Sequence, residues 1–254
     1  MADLLSLRGV RMGYARGDRR VLADVSLALG RGDIGAVVAS RYEGKTTLLR
    51  VAAGILAPDD GEVLLDGLDL TQRPRRAGER LVGREIAWID RKGPGHGFKV
   101  RDYVGLPLTM GRRAGRREVR HLAGEALEKI GATGCAGRQW GDLSTWEQVL
   151  VQFARVIAGE PKLVVMDDLL DGLGMRRTRE AGDLLRSVVE DLRCAVLMSA
   201  SDYEPALVAD RVWSLSGGRL TVMSDLVGPD AEIYYPPFGA GKDRSGAGHG
   251  RVGA

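Results

Sequence analysis

The four residues Gly44-Lys45-Thr46-Thr47 stand where a run of β-formers, Ile34–Ala39, gives way to a helical pattern. In that pattern Leu48, Leu49, Ala52 and Ile55 recur at helical spacing, and Gly54 and Pro58 mark the exit. A strand that enters a helix through a glycine turn leaves the first helical N–H groups without partners, at the positive end of the helix dipole. Such a junction binds anions. A lysine ammonium and a threonine hydroxyl beside it suit the β- and γ-phosphates of a nucleotide with its magnesium ion. A lone Gly-Lys-Ser/Thr turns up by chance in about one chain in ten of this length, so the reading depends on what surrounds it.

What surrounds it has the rhythm of a parallel sheet. Leu4–Val10, Val25–Leu29 and Asp33–Ala39 read as strands, a hairpin is expected around Asp59-Asp60-Gly61, and Glu85–Asp90 reads as a further strand. Residues 100 to 158 are mostly helical in pattern, which suggests an inserted helical lobe at about 91–160. Alternation resumes with a strand at Lys162–Met166, a helix over Arg176–Leu192, and strands at Ala195–Ser199 and Arg211–Leu215. The expected fold is an α/β domain over 1–226 with helices flanking its sheet. The glycine-rich end, 227–254, reads as a flexible tail. Downstream, LVVMDD runs apolar β-formers into Asp167-Asp168. That places a magnesium-binding carboxylate and a base at the tip of a strand expected beside that of the phosphate turn.

Bulk properties exclude several classes. The chain has 254 residues, of which 44% are hydrophobic, so it can bury a sizeable core. Lys and Arg number 37 against 34 acids, and a net charge of +3 argues against nucleic acid as the main partner. No apolar run reaches the roughly 18–20 residues that cross a bilayer. The start, MADLLSLRGVRMGY, has no signal-peptide pattern. Cys135 and Cys194 match no metal spacing and need no oxidising compartment, so a cytoplasmic location is expected.

The phosphate turn, LVVMDD, and between them LSTWEQ (Leu143–Gln148) heading a helix, form a set that resembles the nucleotide-binding domain of ATP-binding-cassette (ABC) transporters. The likeness spans roughly residues 4 to 220. VLADVSLALGRGD resembles the family's strand pair before the loop, and LLRVAAGILAPDDGEVLLDGLDL the stretch after it. The segment with DYVGLPLTM is most similar to the branch serving lipoprotein release and macrolide export. The resemblance implies a P-loop NTPase with a RecA-like core, a mainly parallel sheet, an antiparallel β portion and an inserted α-helical lobe. It implies ATP and Mg²⁺ as cofactors, with Tyr14 stacking on adenine and Arg41, Gly44, Lys45, Thr46 and Thr47 at the phosphates. Thr46, Asp167 and Asp90 fall at metal positions, Asp168 at the catalytic base and Ser201 at the switch position. Ser144 belongs to a signature loop that closes over the nucleotide of a second ABC subunit, so a homo- or heterodimer is implied. A separate membrane permease would dock near Phe98 to Met110, holding the chain on the inner face of the membrane.

The chain departs from the family at several of these positions. Ala39 and Tyr42 replace loop glycines, which curl the backbone around phosphate, and Glu43 sets a negative charge beside a polyanion that Arg41 is placed to offset. Asp90 replaces a glutamine, Asp168 a glutamate and Ser201 a histidine; Gly174 stands where the family has an aspartate. Thr145 and Trp146 replace the glycines of the signature loop. The expected function is a transporter subunit that binds ATP–Mg²⁺, with its own hydrolysis weakened or lost. The alternative is a pseudo-ATPase scaffold or regulator paired with a competent homologue.

Overall fold

The computed structural model describes residues 3–13, 20–71, 84–111 and 115–223; Tyr14 and the tail expected at 227–254 lie outside the described residues. In chain order the elements are β1 (Leu5–Gly13), β2 (Arg20–Leu29), β3 (Ile34–Val38), α1 (Lys45–Ala52), β4 (Asp60–Leu65), β5 (Leu68–Asp69) and β6 (Ile86–Asp90). Then follow α2 (Val100–Gly111), α3 (Arg116–Lys129), α4 (Thr145–Gly159), β7 (Leu163–Asp167), α5 (Met175–Leu192) and β8 (Ala195–Ala200). The last are α6 (Tyr203–Ala206), β9 (Arg211–Ser216) and β10 (Arg219–Val222).

Every residue of β3 and β8 is buried, and so is all of β7 up to Met166. Strands covered on both faces read as continuous apolar runs, the mark of a parallel sheet under helices. The six-stranded sheet has the order β10-β9-β3-β8-β7-β6, parallel throughout except for β10 at one edge. Here the structure corrects the sequence reading: β7 does not adjoin β3, because β8 lies between them. Lateral order depends on where each crossover helix deposits the chain, and no local pattern encodes that.

Alternate residues of this sheet face two cores. Val164 and Met166 of β7 and Val196 and Met198 of β8 pack with α2, α3, α4 and α5. Leu163, Val165, Ala195 and Leu197 pack instead with α1 and a four-stranded antiparallel sheet of order β2-β1-β4-β5. The hairpin expected around Asp59-Asp60-Gly61 is also corrected, since Asp60 opens β4 and the turn falls at Asp66-Gly67 between β4 and β5. Those two residues hold φ of 51° and 76°, as a tight two-residue hairpin turn requires. Gly61 serves a different need. A Cβ there would lie 2.6 Å from the carbonyl oxygens of Arg8 and Gly9, so glycine lets β4 approach β1.

The helices α2, α3 and α4 fall within the expected lobe. α4 buries Val149, Gln152, Phe153 and Val156, one apolar stripe at helical spacing with a single amide in it. Gln152 is fully buried, and its Nε2 donates to the Asp90 carbonyl at 2.6 Å while Tyr103 Oη donates to its Oε1 at 3.3 Å. The amide ties the lobe to the end of β6 and leaves neither of its polar atoms unpaired.

Candidate nucleotide-binding site

The phosphate turn forms because β3 ends at full burial and the chain must reverse over the sheet edge into α1. Gly44 caps α1 at φ 102°, and a Cβ there would lie 2.7 Å from Val21 Cγ1, so no other residue fits. Tyr42, at a position where the family resemblance implies glycine, takes a left-handed backbone at φ 68°. For a residue with a Cβ this left-handed backbone costs about 1–2 kcal/mol, and a phenol that is 92% exposed gains little burial in return. Lys45 is 6% exposed, and its Nζ donates to the Ala39 carbonyl at 2.8 Å and to Ser201 Oγ at 2.9 Å. The same ammonium lies 3.5 Å from Asp168 Oδ1. Above it opens a pocket of about 590 Å³, lined by Val21, Arg41, Tyr42, Lys45, Thr46 and Asp168 among others.

The acids arrive from the ends of β7 and the loop that follows. Thr46 Oγ1 donates to the Asp167 carboxylate, 2.9 Å from Oδ2 and 3.1 Å from Oδ1. Asp168 turns back at φ 50°, and its N–H donates to Ser199 Oγ at 2.9 Å. That hydroxyl in turn lies 2.9 Å from Asp167 Oδ1 and 2.8 Å from Asp168 Oδ1. Burial raises the Asp167 carboxyl above its ordinary value, against the lowering effect of hydrogen bonds from Thr46 and Ser199. Asp171 is raised chiefly by burial as well, and it accepts the Ser201 N–H at 3.2 and 3.3 Å.

The structure therefore brings together Lys45, Thr46, Asp167, Asp168 and Ser201, with Gly44, Thr47 and Arg41 around the same pocket. Asp90 lies beside Asp167 in strand register. Its carboxylate accepts from the N–H groups of Lys92 and Gly93 and from Trp88 Nε1, so it closes the turn after β6. Ser144 is absent from the pocket lining: it caps α4, and its Oγ lies 2.8 Å from Glu147 Oε2. Trp146 does not stand free. It packs against the core with the Arg177 guanidinium 4.6 Å from its ring centre. Two members escaped sequence reasoning, Ser199 and Asp171. Their only signals are a hydroxyl in an otherwise apolar strand and an acid in the loop LLDGLG.

Among the described residues no group of three or more His, Cys, Asp or Glu side chains forms a preformed metal cage. Magnesium does not need one, since it keeps several waters and takes one or two carboxylates together with substrate phosphates. The paired hard oxygens of Thr46 and Asp167 fit that habit. The N-terminus of α1 and the Lys45 ammonium fit phosphate.

Comparison with known proteins agrees with this geometry. The family model described as ABC transporter matches residues 22–170. The chain is 30% identical over 241 residues to the hemin import ATP-binding protein HmuV of Bordetella pertussis, covering 91% of this chain and 89% of that protein. It is 30% identical over 226 residues to the zinc import ATP-binding protein ZnuC of Ruegeria pomeroyi, covering 88% and 80%. In fold it is similar to the dimeric ATP-binding cassette MJ0796 bound to ADP and Pi, with a TM-score of 0.76 at 22% identity over 85% of this chain and 96% of that one. No described helix is long and apolar enough to cross a membrane. With its P-loop, Asp167 at the end of β7 and Asp168 just beyond it, and a family match over more than half its length, this chain belongs to the ABC transporter family as an ATP-binding cassette.

Proposed function

We propose that the chain is the ATP-binding subunit of an import-type ABC transporter, working with a separate membrane permease and a second cassette subunit, and hydrolysing ATP slowly. The observation that carries the reading is the convergence of Lys45, Thr46, Asp167, Asp168 and Ser201 at the ends of β3, β7 and β8. Arg41, Gly44, Lys45, Thr46 and Thr47 would hold phosphate, and Thr46 with Asp167 would hold magnesium, with Asp90 next to them. Ser144 of one copy would face the nucleotide of the other. Import is favoured by the hemin and zinc import relatives, whereas the export branch rests on DYVGLPLTM alone. A chain so partnered sits on the inner face of the cell membrane.

Slow turnover follows from the residues themselves. Asp168 has one methylene fewer than glutamate, and withdrawing a positioned base by about 1 Å costs about 10²-fold. Its Oδ1 already lies 2.8 Å from Ser199 Oγ. Ser201 offers a neutral hydroxyl that accepts from Lys45, and cannot carry an imidazolium charge. Magnesium, when bound, neutralises phosphate charge; the chain's own groups supply binding and orientation. We expect the purified protein to split ATP at less than about 1 s⁻¹, at the low end of ordinary enzymes. Turnover well above that, abolished by Lys45→Ala, would refute the slow-site reading.

A specific observation keeps the scaffold alternative in view. The Lys45 ammonium already donates to Ala39 and Ser201 and has the Asp168 carboxylate 3.5 Å away. A nucleotide competes with these groups for the ammonium, so binding itself separates the two readings.

A further inference from the structure

Glu43 is the residue of the phosphate loop whose charge opposes a polyanion, yet it is not among the residues lining the pocket. Its carboxylate turns away and accepts the Gly217 N–H at 3.1 Å. Gly217 and Gly218 form the two-residue turn between β9 and β10, with φ of 56° and 77°, and Ser216 pairs with Arg219 across it. Gly217 lies in that turn, outside the strand ladder, which leaves its N–H available to an acceptor. The turn has a second hold on the neighbourhood: Gly218 O accepts the Ala23 N–H at 2.7 Å. A Cβ at Gly218 would lie 3.0 Å from Val21 O, and Val21 is the residue packed against Gly44. The β9–β10 turn, the start of β2 and the phosphate loop thus form one closed contact ring.

Next to Glu43 in the loop stands Tyr42, held in a backbone state that an L-residue adopts only when neighbours impose it. Inside the loop, Glu43 N–H meets Ser40 O at a long 3.4 Å. The Glu43 side chain is the loop's outward tie.

We propose that Glu43 is a positioning residue, which pins the phosphate loop to the β9–β10 turn and holds its N–H groups in place despite Tyr42. The proposal rests on the ATP-binding reading for its consequence, though not for the tie itself. On this view the two departures in the loop are coupled: the carboxylate compensates for the missing glycine, and its charge is spent on Gly217 N–H rather than aimed at phosphate.

The test compares the full chain with Glu43→Ala and Glu43→Gln, the second keeping an oxygen that accepts from Gly217. In the nucleotide-free protein, Glu43→Ala should speed hydrogen exchange at the Gly217 amide by about 10-fold. It should weaken binding of a fluorescent ATP analogue with Mg²⁺ by about 5-fold, and Glu43→Gln should stay within about 2-fold of the parent on both readouts. Unchanged exchange at Gly217 in Glu43→Ala would overturn the proposal. So would equal weakening by both substitutions, or tighter analogue binding by both, which is what removal of a repelling charge produces. A parent chain that fails to bind the analogue would sink the ATP-binding reading, and the exchange comparison would still decide the role of Glu43.

Discussion

Ser199 has one hydroxyl proton and three partners. Asp168 N–H donates to its oxygen, and a carboxylate oxygen of Asp167 and one of Asp168 each lie within 2.9 Å of it. Ser199 is 1% exposed, so water does not replace it if it is removed. Ser199→Ala should therefore leave buried polar groups short of a partner and lower the unfolding free energy by about 1–3 kcal/mol, read from urea denaturation without nucleotide. A loss below a few tenths would show that the two acids do not depend on it. The contrast with Lys45 says what is legible at this scale. Lys45, Thr46, Asp167 and Asp168 are readable because chain-local patterns announce them, a glycine turn before a helix and a polar end to an apolar strand. Ser199 and Asp171 act through contacts with residues far away in sequence. Nothing in VLMSAS or LLDGLG points to those partners.

α4 shows how one stretch supports two readings. LSTWEQ resembles a loop that contacts a partner's nucleotide; in the isolated chain it is also a helix start, with Ser144 and Glu147 forming a reciprocal capping box. Ser144 N–H donates to Glu147 Oε2 at 2.7 Å, and Arg138 pairs with the same carboxylate. The backbone N–H of Ser144, then its hydroxyl, and to a lesser degree Arg138 hold the Glu147 carboxyl below its ordinary value, against the opposing effect of burial. The sign follows: the unfolded chain binds the proton more tightly, so this contribution is present above the ordinary glutamate value and is lost as pH falls through the lowered folded value. Glu147→Gln, which can keep the reciprocal cap but loses the charge, should cost less than about 1 kcal/mol at neutral pH and flatten the dependence of stability on pH below about 5. An unchanged acid profile would show that other carboxylates set it. Elements with strong periodicity, α4 and α5, lie close to where the sequence places them. The position of β8 between β3 and β7, and the hairpin at Asp66-Gly67, do not, because pairing partners and approach distances are tertiary facts.

At the scale of the molecule, the six-stranded sheet separates two cores, and the phosphate site sits on the edge where both meet. β3 leads into Lys45 and Thr46, β7 ends on Asp167, and β8, whose neighbours are these two strands, carries Ser199. Thr46 and Asp167 thus bond across the end of an intervening strand. A ligand held by both joins α1, which packs in one core, to β7 and β8, whose alternate residues pack in both. Its binding free energy then stabilises the sheet as a whole and not merely the loop. Under the binding reading, Mg²⁺–ATP at 100 times its Kd should add about 2.7 kcal/mol, equivalent to a rise in Tm of about 5–10 °C for a domain of this size. Lys45→Ala should abolish the shift. Its ammonium bonds Ala39 and Ser201 and lies 3.5 Å from Asp168, so the variant's own melting without nucleotide must be the baseline. Mg²⁺ without ATP should shift the parent little, since Thr46 and Asp167 alone leave most of its coordination to water. No movement of Tm with millimolar Mg²⁺–ATP would mean that Lys45 keeps its internal partners, and would make the chain a scaffold instead of a nucleotide-binding subunit.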